Sequence, residues 1–357
     1  MSDQRSEWEQ DVLPGFERRT LPLEDDDEGA VVATLVRPAT PGSKDAGVDL
    51  LYLHGWTDYF FQTHLAEFWE ELGVRFHALD LRKYGRSLLP HQTPGYTPSL
   101  RVYAEDLEAA LAAIGHPEGA ATDRKLVLMA HSTGGLVASL WAHHHPGRVD
   151  ALVLNSPWLE FQTGNLGRRV LEGPVRAHAA VAPRGHLVNI AQSHYSRTIS
   201  NRFEGEWEYN TEWRPDVGWR ATPGWLAAIF RGHERVAQGL TIDAPILVLL
   251  STRSSPWVRW SDEMLRTDAV LDVQSVARRV PNLGSLVTLV RLEGALHDVT
   301  LSAADVRATL WAELTRWFHG YVRQPVPDRV PEPGPPPAMP WWRRAFGGSP
   351  PDGAAAR

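Results

Sequence analysis

Apolar residues cluster along this chain in two patterns. Short, nearly unbroken apolar runs at Val48–Leu53, Phe76–Leu81, Lys125–Met129, Val149–Asn155, Ile246–Ser251 and Leu286–Leu292 have the length and composition of buried strands. Between them, Phe60–Leu72, Leu100–Ile114, Leu136–His145 and Val273–Val280 carry apolar positions at the three-and-four spacing of amphipathic helices. Alternation of this kind predicts an α/β architecture, with a mostly parallel sheet covered on both faces and ligands at the carboxyl ends of its strands. Upstream, Gly15–Leu23 and Ala30–Arg37 read as two extended runs joined by the acidic turn Glu24–Gly29, a hairpin, and Pro38–Gly47 is a loop by composition.

Between Pro157 and Asp243 the alternation stops. That stretch has no convincing strand and carries helical spacing at Gly185–Ser196 and Trp225–Gln238. An insertion at a strand end lies over the strand ends, so it reads as a cap. The expected organisation is a core in two parts, residues 15–156 and 242–322, interrupted by a cap at 157–241 and followed by a tail at 323–357. Ten of the 27 prolines fall in that tail, which marks it as extended or disordered.

Composition narrows the picture. The 357 residues are 43% hydrophobic, ample for one large α/β domain with an insertion. There is no cysteine, so disulfides and thiolate metal sites are excluded. A net charge of −7 argues against nucleic acid as a partner. The start, Met1–Asp11, has no apolar leader-like run and no segment is apolar enough to span a bilayer, which makes a cytoplasmic protein the default expectation. Trp207, Trp213, Trp219 and Trp225, part of an unusually large set of 15 tryptophans, read as packing between cap and core, or as an apolar entrance. Glu204, Glu206, Glu208 and Glu212 share that segment and read as solvated, although carboxylates here could hold a cationic group. In the tail, Pro340-Trp-Trp-Arg-Arg-Ala-Phe346 could rest on the protein itself or touch a membrane surface.

Candidate chemistry centres on Leu126–Gly135, where an apolar strand runs into Ala130-His-Ser-Thr-Gly-Gly135 and then a helix. This is G-x-S-x-G with alanine for the first glycine. A serine at such a turn has its hydroxyl pushed out of the sheet, and the Thr133 N–H points to where an oxyanion would form. A serine needs a base, and the base an orienting acid, in the chain order Ser, Asp or Glu, His. His297, after the last strand, is the candidate base. Asp268 is the leading candidate acid, with Asp272, Asp262 and Glu263 as alternatives; Asp272 is equally explained as a helix N-cap. His54-Gly55-Trp56 ends an earlier strand and offers the Trp56 amide as a second oxyanion donor. His143, His144 and His145 close a helix, where such residues suit the helix C-terminus better than a metal.

His54-Gly55, Asp80 with Tyr84-Gly85-Arg86-Ser87, Ala130–Gly135, Asp268-Ala-Val-Leu-Asp272 and Leu296-His297-Asp298, in this order, resemble the α/β-hydrolase superfamily, within it the monoacylglycerol lipase-like group of serine aminopeptidase-type hydrolases. The resemblance spans about residues 15 to 320. It implies a Ser132–Asp268–His297 triad, oxyanion donors at Trp56 and Thr133, a mobile cap over an acyl pocket, and no cofactor. The chain departs from the group in the long connection between the strand at Ile246 and Asp268, where relatives have a short one. The expected activity is hydrolysis of a small-molecule carboxylic ester, such as a monoacylglycerol or lysophospholipid-like ester, through an acyl-serine. A serine peptidase acting at an N-terminal residue, or a non-catalytic binding protein on the same fold, are the alternatives. Peripheral membrane contact would run through the cap or the tail.

Overall fold

A computed structural model of the chain describes residues 7–161, 164–187, 193–255 and 259–323; the tail motif at 340–346 lies outside them. In chain order the strands and helices are β1 (Glu9–Gln10), β2 (Phe16–Asp26), β3 (Gly29–Pro38), β4 (Val48–Leu53), α1 (Thr63–Glu71), β5 (Val74–Asp80), α2 (Tyr103–Ala113), β6 (Lys125–His131), α3 (Ser132–His144), β7 (Ala151–Asn155), α4 (Gly164–Val181), α5 (Ser193–Ile199), α6 (Pro223–Ala237), β8 (Ile246–Ser251), α7 (Val273–Ala277), β9 (Val287–Leu292) and α8 (Ala304–Trp317).

Among the described residues, nine strands form one sheet in the order β1-β2-β3-β5-β4-β6-β7-β8-β9. From β5 to β9 every pairing is parallel, while β1, β2 and β3 add an antiparallel edge. The chain is therefore an α/β hydrolase-type fold. The parallel strands are apolar throughout because both faces are covered. Leu51 and Leu53 of β4, Leu126 and Leu128 of β6 pack with Leu107 of α2 and Leu136 and Trp141 of α3. The alternate residues Leu50, Tyr52, Val127 and Met129 pack on the other face with Leu65 and Trp69 of α1 and Leu310 and Leu314 of α8.

Three expectations need correction. Gly185–Ser196 is not one helix: residues 182–187 are irregular, and the helices of this segment are α4 and α5 on either side. Helix α4 contains Gly173 and Pro174, breakers that mask its otherwise amphipathic spacing. Helix α1 begins at Thr63 rather than Phe60, since Gln62 has φ of −78° and ψ of 66°, outside the helical region, and the Phe60 amide meets the Asp80 carboxylate at 2.9 Å. Helix α7 ends at Ala277, and a short 3-10 turn at Val280–Asn282 replaces its expected last turn.

Candidate active site

Strand β6 delivers Ser132 to a turn that leaves almost no room for anything but small residues. Ser132 adopts φ of 51°, left-handed backbone that a serine occupies only under constraint. The constraint is visible around it. A Cβ on Gly134 would lie 2.3 Å from the His54 carbonyl oxygen, and one on Gly135 would lie 2.7 Å from Pro157 Cβ. The Trp158 amide donates to Ser132 O at 2.9 Å, tying the turn to the residues after β7. Ala130 sits in the strand with no exposure, so alanine serves where the motif has its first glycine.

His297 lies in the loop after β9 and bridges the other two candidates. Its Nε2 is 3.0 Å from Ser132 Oγ and its Nδ1 is 3.0 Å from Asp268 Oδ2. All three are buried, Ser132 at 8% exposure, His297 at 3% and Asp268 at 0%. Asp268 also holds its own turn, its Oδ1 accepting from the Val270 and Leu271 amides at 2.8 Å each. One oxygen is thus fixed by backbone, leaving the other to face the imidazole. Asp272 accepts from the Gln274 amide at the start of α7, an N-cap, while Asp262 and Glu263 begin a separate 3-10 turn.

The long connection before Asp268 is closed off by a bridge. Ser254 pairs with Asp268 as parallel strand, the Asp268 amide donating to Arg253 O and the Ser255 amide to Asp268 O, each at 3.0 Å. Asp268 is thereby held beside the end of β8.

Across Ser132, the Thr133 amide opens α3 and the Trp56 amide follows β4. Neither donates a hydrogen bond among the described residues, as two amides available to an anion must. The strand end at β4 is fixed by His54: Leu81 N–H donates to its Nε2 at 3.1 Å, so the proton sits on Nδ1 and is donated to Gly55 O at 2.8 Å. Burial pushes His54 below the ordinary imidazole range, consistent with this neutral tautomer.

A family model for "Serine aminopeptidase, S33" matches residues 49–301, well over half the chain. The chain belongs to this family of α/β hydrolases. No curated protein matches the sequence. Among solved structures, this hydrolase is similar to a soluble variant of monoglyceride lipase from Saccharomyces cerevisiae, bound to a substrate analog, at 13% identity and a TM-score of 0.60 over 85% of this chain and 96% of that one. It is also similar to a monoacylglycerol lipase from Paleococcus ferrophilus, at 18% identity and a TM-score of 0.57 over 79% and 97%. A lipase in an open form gives 16% identity and a TM-score of 0.60 over 85% and 99%. At these identities the likeness is one of fold.

In this hydrolase the residues between β7 and β8 are stitched to the stretch that follows β4. Trp207 stacks on His64, Trp213 meets Tyr59 edge-on, and Trp219 and Trp225 both contact Trp56, with Trp225 centred 3.8 Å away. All four tryptophans thus meet residues between Trp56 and His64. Polar ties run beside them. The Trp219 amide donates to Thr57 Oγ1 at 3.1 Å, the Asn210 amide to Tyr59 OH at 2.7 Å, and Arg214 Nε to Asp58 Oδ1 at 3.2 Å. Burial pushes the Asp58 carboxyl up, against the pull of Arg214 beside it. Glu204, Glu206, Glu208 and Glu212 are all exposed.

A buried polar shell that sequence reasoning does not single out lies behind His297. Asp298, with no exposure, accepts from Gln62 Nε2 at 3.1 Å, Asn155 Nδ2 at 2.6 Å, and the amide and hydroxyl of Thr300 at 2.9 and 2.6 Å. Burial alone would raise its carboxyl, but His131 and these donors hold it below the usual carboxylate range. The Asn155 Oδ1 atom in turn accepts from the Val299 amide at 3.1 Å, locking the loop that carries His297. The only sequence signal for this shell is Asp298 beside His297; Gln62 and Asn155 carry none. Among the described residues no cluster of side chains could hold a metal, and no helix is long and apolar enough to cross a membrane.

Proposed function

We propose that this hydrolase cleaves carboxylic esters by acyl transfer to Ser132. The observation that carries the reading is the single imidazole of His297 placed 3.0 Å from both Ser132 Oγ and Asp268 Oδ2. In the reaction His297 Nε2 takes the Ser132 proton as Oγ attacks the ester carbonyl, and Asp268 holds Nδ1–H and stabilises the imidazolium. The Trp56 and Thr133 amides receive the oxyanion. Collapse expels the alcohol with the proton from His297, and water, activated by the same imidazole, releases the acid.

The segment 157–241 acts as the cap, and its aromatic seam on Trp56 gives the acyl chain an apolar approach. An ester substrate is favoured over a peptide with a free N-terminus because the four glutamates that could hold an ammonium group face solvent. A panel of p-nitrophenyl esters from acetate to palmitate, run beside aminoacyl amides, tests the reading. Ester turnover with a chain-length optimum, reduced on the order of 10⁴-fold or more in Ser132→Ala, is expected. Faster turnover of aminoacyl amides would replace this substrate class with the peptidase one.

A further inference from the structure

Helix α3 starts at Ser132, and about 13 Å along it the surface opens into a cavity of about 780 Å³. It lies between the second half of α3, the second half of α6 and the start of α2, and is separate from the site around Ser132. Its floor is apolar, made by Leu100, Ala104, Val137, Leu140 and Ala228. Its rim is cationic: Arg101, Arg231 and Arg235 stand around it against a single carboxylate, Glu234, which lies 3.6 Å from Arg176.

Some of this charge has a local explanation. Arg235 donates to Gly239 O just past the end of α6 and to His143 Nε2, each at 2.6 Å, so its charge answers a helix C-terminus. Arg101 and Arg231 are not accounted for in this way. Arg231 donates to the Pro98 carbonyl at 2.6 Å, and neither guanidinium has a carboxylate partner among the described residues. The cations also face one another. Burial first and then Arg176 push Arg231 below the ordinary guanidinium value, and His144 is lowered by burial and by Arg101 and Arg235. A second group is left unanswered: Trp141 Nε1 at the cavity wall is buried with no acceptor.

We infer that this cavity binds a single-chain anionic amphiphile, a long-chain carboxylate whose chain lies on the apolar floor and whose head meets Arg101 and Arg231. The volume is that of a small-molecule site and is short for a docked helix, and unbalanced positive charge at its mouth selects an anion. The proposed reaction yields a carboxylate of this class, but the site stands independently of that reading.

The test uses dodecanoate below its micellar concentration, titrated calorimetrically into the full chain, with a diazirine-bearing dodecanoate cross-linked and mapped by mass spectrometry. One equivalent binds, cross-links fall in residues 99–104, 137–145 and 228–238, and dodecanol and acetate each bind at least tenfold more weakly. Arg101→Glu, an exposed and unpaired position that leaves the fold intact, weakens dodecanoate at least fivefold. Ala104→Trp, which fills the floor, removes binding while thermal unfolding is unchanged. Cross-links confined to other residues, affinity unaltered in both variants, no binding up to the solubility limit, or an acidic peptide binding at Arg101 where dodecanoate does not, would each overturn the inference.

Discussion

Gly134 shows how tightly single residues control the site. A side chain there would drive into the His54 carbonyl, a backbone atom that cannot step aside without moving the Trp56 amide. Gly134→Ala is therefore expected to lower ester turnover at least 100-fold with a clear loss of thermal stability, measured by steady-state kinetics and calorimetry. Asp268 is the opposite case, because its two oxygens have separate tasks. Asp268→Asn retains an oxygen for the Val270 and Leu271 amides but presents an amide to Nδ1, favouring the wrong imidazole tautomer. The expected result is a fall on the order of 10³- to 10⁴-fold in kcat with KM and fold little changed. A variant at full rate would remove Asp268 from the proposed machinery.

At the scale of elements, the parallel strands were legible because a strand buried on both faces must be apolar throughout, and each expected run from Val48 to Leu292 has its strand within a few residues. The Ser132 turn was legible for a similar reason, since strand, small residues and helix are consecutive in the chain. The placement of Asp268 was only partly so, because the bridge from Ser254 that folds away the intervening loop is a tertiary pairing with no local spacing. The segment between β7 and β8 read worst. Gly173 and Pro174 hide α4, and residues 182–187, which include the start of the helix expected from Gly185, are irregular. One of the segment's polar ties pairs Arg214 with Asp58, whose sequence separation of 156 residues gives no hint of contact. Arg214→Met leaves Asp58 buried without its partner, at a cost of roughly 3–5 kcal/mol. Denaturant unfolding should show that loss. Asp58→Asn in the same chain should recover much of it, and an unchanged midpoint in the single variant would mean the pair contributes nothing.

Across the whole molecule, the buried histidines set an acid limit on stability. Burial pushes His77 and His233 each down to about 4, whereas an exposed imidazole in the unfolded chain titrates near 6.5. Between those values the unfolded state binds more protons, so stability is complete above pH 6.5 and is lost as the pH falls toward 4. Urea midpoints should drop from pH 7 to pH 4.5, and His233→Gln should make that slope shallower. His233 accounts for part of the site's rigidity too, since its Nε2 lies 2.9 Å from the Trp158 carbonyl and Trp158 anchors the Ser132 turn. The sheet and the polar shell behind His297 converge on that one serine, whose role as nucleophile is the central claim. Intact-protein and peptide mass spectrometry after incubation with an alkyl fluorophosphonate tests it most directly. One adduct per chain, mapped to Ser132 and absent in Ser132→Ala, is the predicted result; an unlabelled chain, or an adduct on another residue, would contradict it.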